Sequence, residues 1–237
     1  FSGAASFNQD IGSWDVSNVT DMNYMFYEAS SFNQSIGDWD LSNVNTMDSM
    51  FRGAIAFNQF IGDWDVSNVT DMDQMFGGAT SFNQPIGDWD VSNVTDMESM
   101  FASTPFNQDI SGWDVSSVTN MRTMFDSSLF NQPLNDWDVS SVTNMFRMFF
   151  GASDFNQPIG DWDVSNVSLM LYMFGSASAF NQSLENWNVS SNLIMWGVFQ
   201  NATSFNQDIS SWDVSNVTDM NYMFYNAISF NQDINSW

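Results

Sequence analysis

The chain has 237 residues and a formal net charge of −25, because 28 acidic residues face only 3 arginines and no lysine. Its 43% of hydrophobic residues excludes a disordered acidic tail, and its lack of histidine and cysteine excludes zinc fingers, disulfide frameworks and imidazole- or thiol-dependent catalysis. A polyanion of this kind is a poor partner for nucleic acid, and no apolar run is long enough to span a membrane.

One motif repeats along the whole chain. The tripeptide Phe-Asn-Gln begins at Phe7 and returns every 25 residues, with two steps of 24. Trp14 begins a tryptophan column in the same register, and Met22 and Met25 begin two methionine columns. The consensus is FNQxIGxWDVSNVTDMxxMFxxAxx. Because such a unit cannot bury its own apolar residues, it predicts a single solenoid of stacked coils over residues 1–237.

Each coil is predicted to hold one short strand and one short helix. The alternation across 14–16 indicates a strand that pairs in parallel with its copies. Val19, Met22, Met25 and Phe26 then have the spacing of one helix face. The predicted class is α/β: a right-handed solenoid of the leucine-rich-repeat type with about nine to ten repeats. A parallel β-sheet lies on one face and short helices or helical turns on the other. The alternative is a regular β-solenoid in which the Met segment, residues 19–28 and their counterparts in the other copies, is also strand.

An asparagine recurs directly after the first phenylalanine of each repeat. The amide side chain of Asn8 and its counterparts is predicted to form a structural ladder that satisfies backbone groups in the turn.

The eighth repeat departs most from the consensus, at Asn192–Ile194, Trp196 and Val198. Locally adjusted packing is the favoured interpretation there, and an outer face that meets a partner is the alternative.

The two ends of the chain carry no polar capping repeat. The chain begins with Phe1 in the column of Phe26 and ends with Trp237 in the tryptophan column. A soluble solenoid needs its ends covered, so we expect a segment of a longer array or a segment covered by neighbours in an assembly.

The repeat unit closely resembles that of a known family. Residues 7–26, FNQDIGSWDVSNVTDMNYMF, resemble the repeat of BspA-like leucine-rich-repeat surface proteins, and the resemblance covers the whole chain. It implies a bacterial or protist protein, at the cell surface or secreted, with a role in adhesion or in binding host or neighbouring-cell proteins. It offers no catalytic residues and no named ligand.

An aspartate directly after the tryptophan forms the Asp15 column. Its members are Asp15, Asp40, Asp65, Asp90, Asp114, Asp138, Asp163 and Asp213. In the predicted sheet these carboxylates are one strand apart, where like charges repel, so something must offset them. Local hydrogen bonding near Ser17 or to the neighbouring rung is favoured. The alternatives are a ladder of calcium sites at this column and a diffuse cation atmosphere.

These observations favour a non-catalytic function. The acids recur in nearly every copy and no basic partner tunes them, so a unique catalytic pair is absent from the pattern and no cofactor is required. We expect an extracellular module for adhesion, or for recognition of a protein or glycan on a host or neighbouring cell. The alternative is a structural stalk or a filament segment that associates end to end and is stabilised by cations.

Overall fold

The computed structural model describes all 237 residues as a stack of similar coils. Coil 1 spans residues 7–31, and the following coils begin at Phe32, Phe57, Phe82, Phe106, Phe130, Phe155, Phe180 and Phe205. The chain forms no helix and no strand, and thus no helix that could cross a membrane. Isolated parallel bridges in the Met segment join successive coils, beginning with Asp21 to Thr46, except between coils 7 and 8.

The α/β prediction, with a parallel sheet and short helices, is therefore wrong. In a helix, each backbone N–H of the Met segment would donate to the carbonyl four residues earlier. Instead, the N–H groups of Tyr24, Phe26 and Glu28 donate across the stack to the next coil, at 2.7 to 2.9 Å. These amides are therefore used for pairing between coils and cannot build a helix within one coil.

Tandem turns bend the Met segment. The Met25 N–H donates to the Met22 carbonyl, three residues earlier, as in a β-turn. Tyr24 and Glu28 have φ of +58° and +54°, in the left-handed region that interrupts a right-handed helix. Glycine occupies the position of Glu28 in several other coils, including Gly53 and Gly78. This position favours glycine because its side chain has no Cβ to clash at positive φ.

The predicted strand is also replaced by turns. The Trp14 N–H donates to the Ile11 carbonyl and the Val19 N–H to the Val16 carbonyl. Residues 14–18 make no backbone hydrogen bond to a neighbouring coil, so no sheet forms there. The alternative prediction, a regular β-solenoid, correctly places the backbone pairing between coils in the Met segment. However, that segment forms single bridges rather than the predicted strands.

The core consists of stacked aromatic and thioether columns. The rings of Phe51 in coil 2 and Phe57, the first residue of coil 3, lie 4.0 Å apart at an angle of 11°, and Phe51 lies 5.7 Å from Phe76, also in coil 3. Met47 and Met50 are fully buried beside them. The pattern continues through the interior coils, with Val198 in place of one methionine in coil 8, so each coil is stabilised mainly by burial against its neighbours.

Side-chain hydrogen bonds fix the register between coils. Each interior tryptophan donates its indole N–H to a carbonyl of the previous coil, as Trp89 does to Ile61 at 3.1 Å. The predicted amide ladder is confirmed: Asn83 Oδ1 accepts the backbone N–H of Asn107 and the side-chain amide of Gln108. The tryptophan and asparagine columns therefore join every coil to the next at two places.

Coil 8 contains a polar residue in the core. Asn192 replaces valine at a fully buried position, and its Nδ2 donates to the Val167 carbonyl at 2.9 Å. Its Oδ1 has no hydrogen-bond partner. A buried acceptor without a donor costs free energy because it has lost its water.

Restoring the consensus at this position should stabilise the protein. Asn192→Val is expected to raise the free energy of unfolding by about 1 to 2 kcal/mol, because it removes an unsatisfied buried acceptor. Urea unfolding followed by tryptophan fluorescence measures the change. Val167→Asn, which places the same amide one coil earlier, is expected to destabilise. A destabilised Asn192→Val protein would contradict the assignment of this site as unsatisfied.

Candidate recognition face

The turns of the Met segment direct a set of side chains outward. Met and Phe of each segment enter the core, whereas the positions of Asp21, Asn23, Tyr24 and Tyr27 lie mostly at the surface. We call these four positions, taken over all coils, the graded face. From coil 2 to coil 8 their chemistry changes from acidic to apolar, although the core beneath them stays nearly constant.

Coils 2 to 4 carry five carboxylates on the graded face. This acidic patch consists of Asp48, Asp71, Asp73, Asp96 and Glu98. Asp71 Oδ1 accepts the Asp73 N–H at 2.9 Å, whereas Asp48 Oδ1 and Asp73 Oδ1 are buried without a partner. Burial, together with the charges of Glu98, Asp48 and Asp96, raises the pKa of Asp73 to about 6. The patch therefore holds negative charge that its own side chains do not neutralise.

Two arginines separate the acidic patch from the apolar part of the face. Arg122 pairs with Glu98 at 2.8 Å, and its guanidinium lies 5.3 Å from the centre of the Phe146 ring. Arg147 pairs with Asp126 at 3.0 Å and lies 3.9 Å from the centre of the Phe150 ring. Each guanidinium thus contacts a carboxylate and an aromatic face, the two groups to which it binds well.

Coils 6 to 8 carry an apolar patch on the same positions. It consists of Phe146, Phe150, Leu169, Leu171, Tyr172, Ile194 and Trp196. Tyr172 lies 6.1 Å from Phe150 and 6.2 Å from Trp196, and Trp196 stacks on Tyr222 of coil 9 at 6.1 Å. Leu169 and Trp196 are 44% and 37% exposed. A connected row of partly or well exposed aromatic rings therefore crosses coils 6 to 9.

Two glycines hold these rings in place. A Cβ on Gly175 would come within 2.7 Å of the Phe150 ring, and a Cβ on Gly197 within 2.4 Å of the Tyr172 ring. Each ring therefore lies against the bare backbone of the next coil. Because packing against these glycines already fixes the orientation of the rings, they lose little conformational entropy when a partner binds.

The Asp15 column lies outside the graded face, in a turn. In all eight members, Oδ1 accepts the backbone N–H of the residue two positions on, and in five it also accepts that serine's hydroxyl at 2.6 Å. The predicted local hydrogen bonding is thus present. These bonds lower the pKa of six members: Asp15, Asp40, Asp90, Asp138, Asp163 and Asp213.

The geometry of the Asp15 column gives little support to specific calcium sites. Each calcium ion in a protein binds about six to eight oxygen ligands. The structure contains no group of three or more carboxylates that could hold a metal ion, and one oxygen of each Asp15-column carboxylate already accepts hydrogen bonds. Calcium binding at this column stays a prediction.

The opposed pKa shifts predict a stability maximum in mild acid. Burial raises the pKa of Asp71, Asp73 and Asp126, so the folded state binds more protons than the unfolded state above pH about 4. Stability should therefore rise as the pH falls through about 6. The lowered pKa of the Asp15 column acts oppositely, since its stabilisation is lost as the pH falls below about 4. Melting temperature should peak between these limits.

A single substitution isolates the contribution of Asp73 to this profile. Asp73→Asn is expected to stabilise by about 1 kcal/mol at pH 8, a value reduced for solvent screening of a half-exposed charge, and to change little at pH 5. Asp38→Asn removes the same charge from an exposed position and serves as the control. Equal effects of the two variants at both pH values would contradict the raised pKa of Asp73.

Sequence reasoning placed the candidate site at the Asp15 column and found only part of the graded face. The departures of coil 8 include Trp196 and Ile194, but Arg122, Phe146 and Leu171 were missed. The residue directly after the first methionine is, in order from coil 1 to coil 9, Asn, Asp, Asp, Glu, Arg, Phe, Leu, Trp and Asn. Comparing that position across the coils was the signal that could have found them.

Comparison with known proteins agrees with the repeat architecture. A search of curated proteins finds no match to this chain. The model of a family described as "Mycoplasma protein of unknown function, DUF285" matches residues 1–111, 103–196 and 159–237. These three overlapping matches cover the full length, as expected for tandem copies of one unit. The chain therefore belongs to the DUF285 family.

Proposed function

We propose that the chain is a non-catalytic recognition module whose graded face binds a protein partner. The apolar patch carries this proposal, because exposed aromatic side chains are enriched at the centres of protein interfaces. In a repeat protein the core positions are fixed by packing, whereas outward positions are free to vary. Here the outward positions of coils 6 to 8 have become aromatic or aliphatic while the Phe and Met columns beneath them have hardly changed.

We also propose an extracellular, cell-surface location and a role in adhesion. The support is the resemblance of residues 7–26 to the repeat of BspA-like surface proteins. A rigid stack suits such a role, since it offers a long preformed surface and engages a partner over several coils at a small entropic cost. The stalk or filament role stays a prediction.

Selection of displayed peptides tests this function without a known ligand. Random peptides are selected on the immobilised chain and compared on the double variant Tyr172→Ser, Trp196→Ser. Ile55→Ser and Ile228→Ser serve as controls, because both remove a well-exposed apolar side chain outside the graded face. Melting temperatures confirm that each variant is folded.

The proposal expects enriched peptides that bind the parent chain and the controls equally. Their affinity for the double variant should fall by about tenfold or more, as for loss of an interface hot spot. Failure to enrich any peptide, or binding that ignores the double substitution, would overturn the proposal. Binding on a glycan array in the absence of peptide binding would overturn the choice of a protein partner.

A further inference from the structure

We infer that the graded face binds an extended, basic polypeptide segment that lies along the stacking axis. Its cationic side chains contact the acidic patch and its aromatic or aliphatic side chains contact the apolar patch. The inference rests on the proposed function and adds the chemistry, direction and length of the partner.

The acidic patch calls for a cationic partner. Of its five carboxylates, Glu98 alone has an arginine partner, at 2.8 Å. Asp48 Oδ1 and Asp73 Oδ1 are buried acceptors without a donor. A Lys or Arg side chain would supply donors there, and the net charge of −25 attracts such a segment from solution. The same charge repels nucleic acids and anionic membranes.

The apolar patch calls for side chains of a polypeptide rather than for a sugar. A sugar needs hydrogen-bonding side chains beside the aromatic ring, because its buried hydroxyls must be satisfied. On the graded face of coils 7 and 8, Leu169, Leu171 and Ile194 have no hydrogen-bonding side chain, and beside Trp196 only Tyr172 and Gln200 have one. Apolar side chains of a peptide would bury this surface without leaving polar groups unpaired.

The unpartnered polar atoms suit an extended backbone. The buried atoms without a hydrogen bond are Asp48 Oδ1, Ser49 Oγ, Asp73 Oδ1, Arg147 Nε and Asn192 Oδ1. Asp48, Asp73 and Arg147 are partly exposed residues of the graded face, whereas Ser49 and Asn192 are fully buried. The three residues at the face offer two acceptors and one donor. A peptide backbone presents N–H and C=O groups in alternation, so it can pair with this mixture.

The positions of the two patches fix the length of the segment. The acidic patch begins in coil 2 and the apolar patch ends in coil 8, six steps along the stack. At about 4.8 Å per step this spans about 29 Å, and an extended chain advances about 3.3 Å per residue. A segment of about nine residues would therefore contact both patches.

Synthetic peptides of about twelve residues test the inference, a length that allows for both patches. One probe has Lys and Arg at one end and Leu, Phe and Trp at the other, and it is made in both chain directions. A second has Glu in place of the basic residues, and a third has the first composition shuffled so that charged and apolar residues alternate. Fluorescence anisotropy measures binding to the full chain at low and high salt.

Two substitutions separate the patches. The double variant Asp73→Asn, Glu98→Gln should weaken binding of the first probe by about fivefold or more and flatten its salt dependence. Trp196→Ser should weaken it by about tenfold and leave the salt dependence intact. Asp163→Asn and Ile55→Ser, which lie outside the graded face, should change neither.

The outcomes separate this inference from the proposed function. If the shuffled probe binds as well as the first, or if the acidic-patch variant binds unchanged, the inference is wrong. If displayed peptides bind through Trp196 but carry no basic residues, the proposed function holds and the inference fails. If no peptide of any kind binds, both fail.

Discussion

Replacing Trp113 with alanine is expected to lower the free energy of unfolding by about 3 to 5 kcal/mol. Its side chain is 3% exposed and stacks on Trp137, with ring centres 6.5 Å apart. Its indole N–H donates to the Ile86 carbonyl of the previous coil at 3.1 Å. The substitution leaves a large cavity between coils and removes a hydrogen bond that joins them, although the Ile86 carbonyl still accepts the Trp89 N–H. Because each coil contacts only its neighbours, the damage interrupts the stack.

Two further variants separate the contributions of burial and of hydrogen bonding to the stability lost in Trp113→Ala. Trp14→Ala alters the same column in coil 1, where the side chain is 48% exposed, and should cost much less. Trp113→Phe keeps most of the ring and removes the N–H, so it should cost about 1 kcal/mol for the hydrogen bond plus a small packing term. Urea unfolding measures all three. Equal losses for Trp113→Ala and Trp14→Ala would be incompatible with a continuous buried column.

Replacing Asn83 with alanine should remove one step of the amide ladder and cost about 2 to 3 kcal/mol. Asn83 Oδ1 accepts the Asn107 N–H at 2.9 Å and the Gln108 side-chain amide at 3.1 Å. Both donors are partly buried. The Gln108 amide keeps a second acceptor, the backbone carbonyl of Asn83 at 3.2 Å, whereas the Asn107 N–H has no other acceptor. The cost is mainly that of leaving this N–H unpaired, rather than the smaller net value of a hydrogen bond that water can replace.

An isosteric change tests whether the acceptor matters. Asn83→Asp keeps the oxygen in place and should retain much of the stability lost in Asn83→Ala. Asn231→Ala is the matched control, because the side chain of Asn231 accepts no hydrogen bond in this chain, and it should have little effect. If Asn83→Asp is as damaging as Asn83→Ala, the loss does not come from the acceptor.

The buried columns could be predicted from the sequence because one residue type recurs at one spacing. Phe, Trp and Met at fixed positions predict a continuous core, and interior members such as Met47 and Phe51 are fully buried. The role of Asn8 could also be predicted, since an amide repeated in register is able to bond its own copy. These inferences need only the period of the repeat and do not depend on how each coil bends.

The helix was wrongly predicted because tandem turns imitate its spacing. A turn that bonds residue i to i+3 brings Met22 and Met25 to the same side, as a helix would. The two structures differ in the backbone of the residues between and after them, where Tyr24 and Glu28 adopt positive φ. Gly53, Gly78 and Gly151 stand at the position of Glu28 in other coils, and they were the sequence feature that indicated this conformation.

The candidate site could be predicted only in part. The acidity of the Asp15 column is conspicuous, but it reflects a turn motif that each coil uses to cap its own backbone. Trp196 stood out as a departure within coil 8, yet its partners Tyr172 and Tyr222 belong to other coils. Only the stacking of coils brings these residues together, and only burial shows which side of the Met segment faces outward.

The register of the graded face requires that the backbone of each Met segment forms hydrogen bonds with the next coil, rather than helical hydrogen bonds within the segment. NMR couplings through hydrogen bonds, recorded on an isotope-labelled chain, identify the donor and acceptor directly. We expect a coupling between the amide nitrogen of Phe76 and the carbonyl carbon of Met100, and another between Phe51 and Met75, whose N–O distances are 3.1 and 2.9 Å. A coupling from Phe76 to the carbonyl of Met72, four residues earlier, would contradict this fold and the alignment of its binding face.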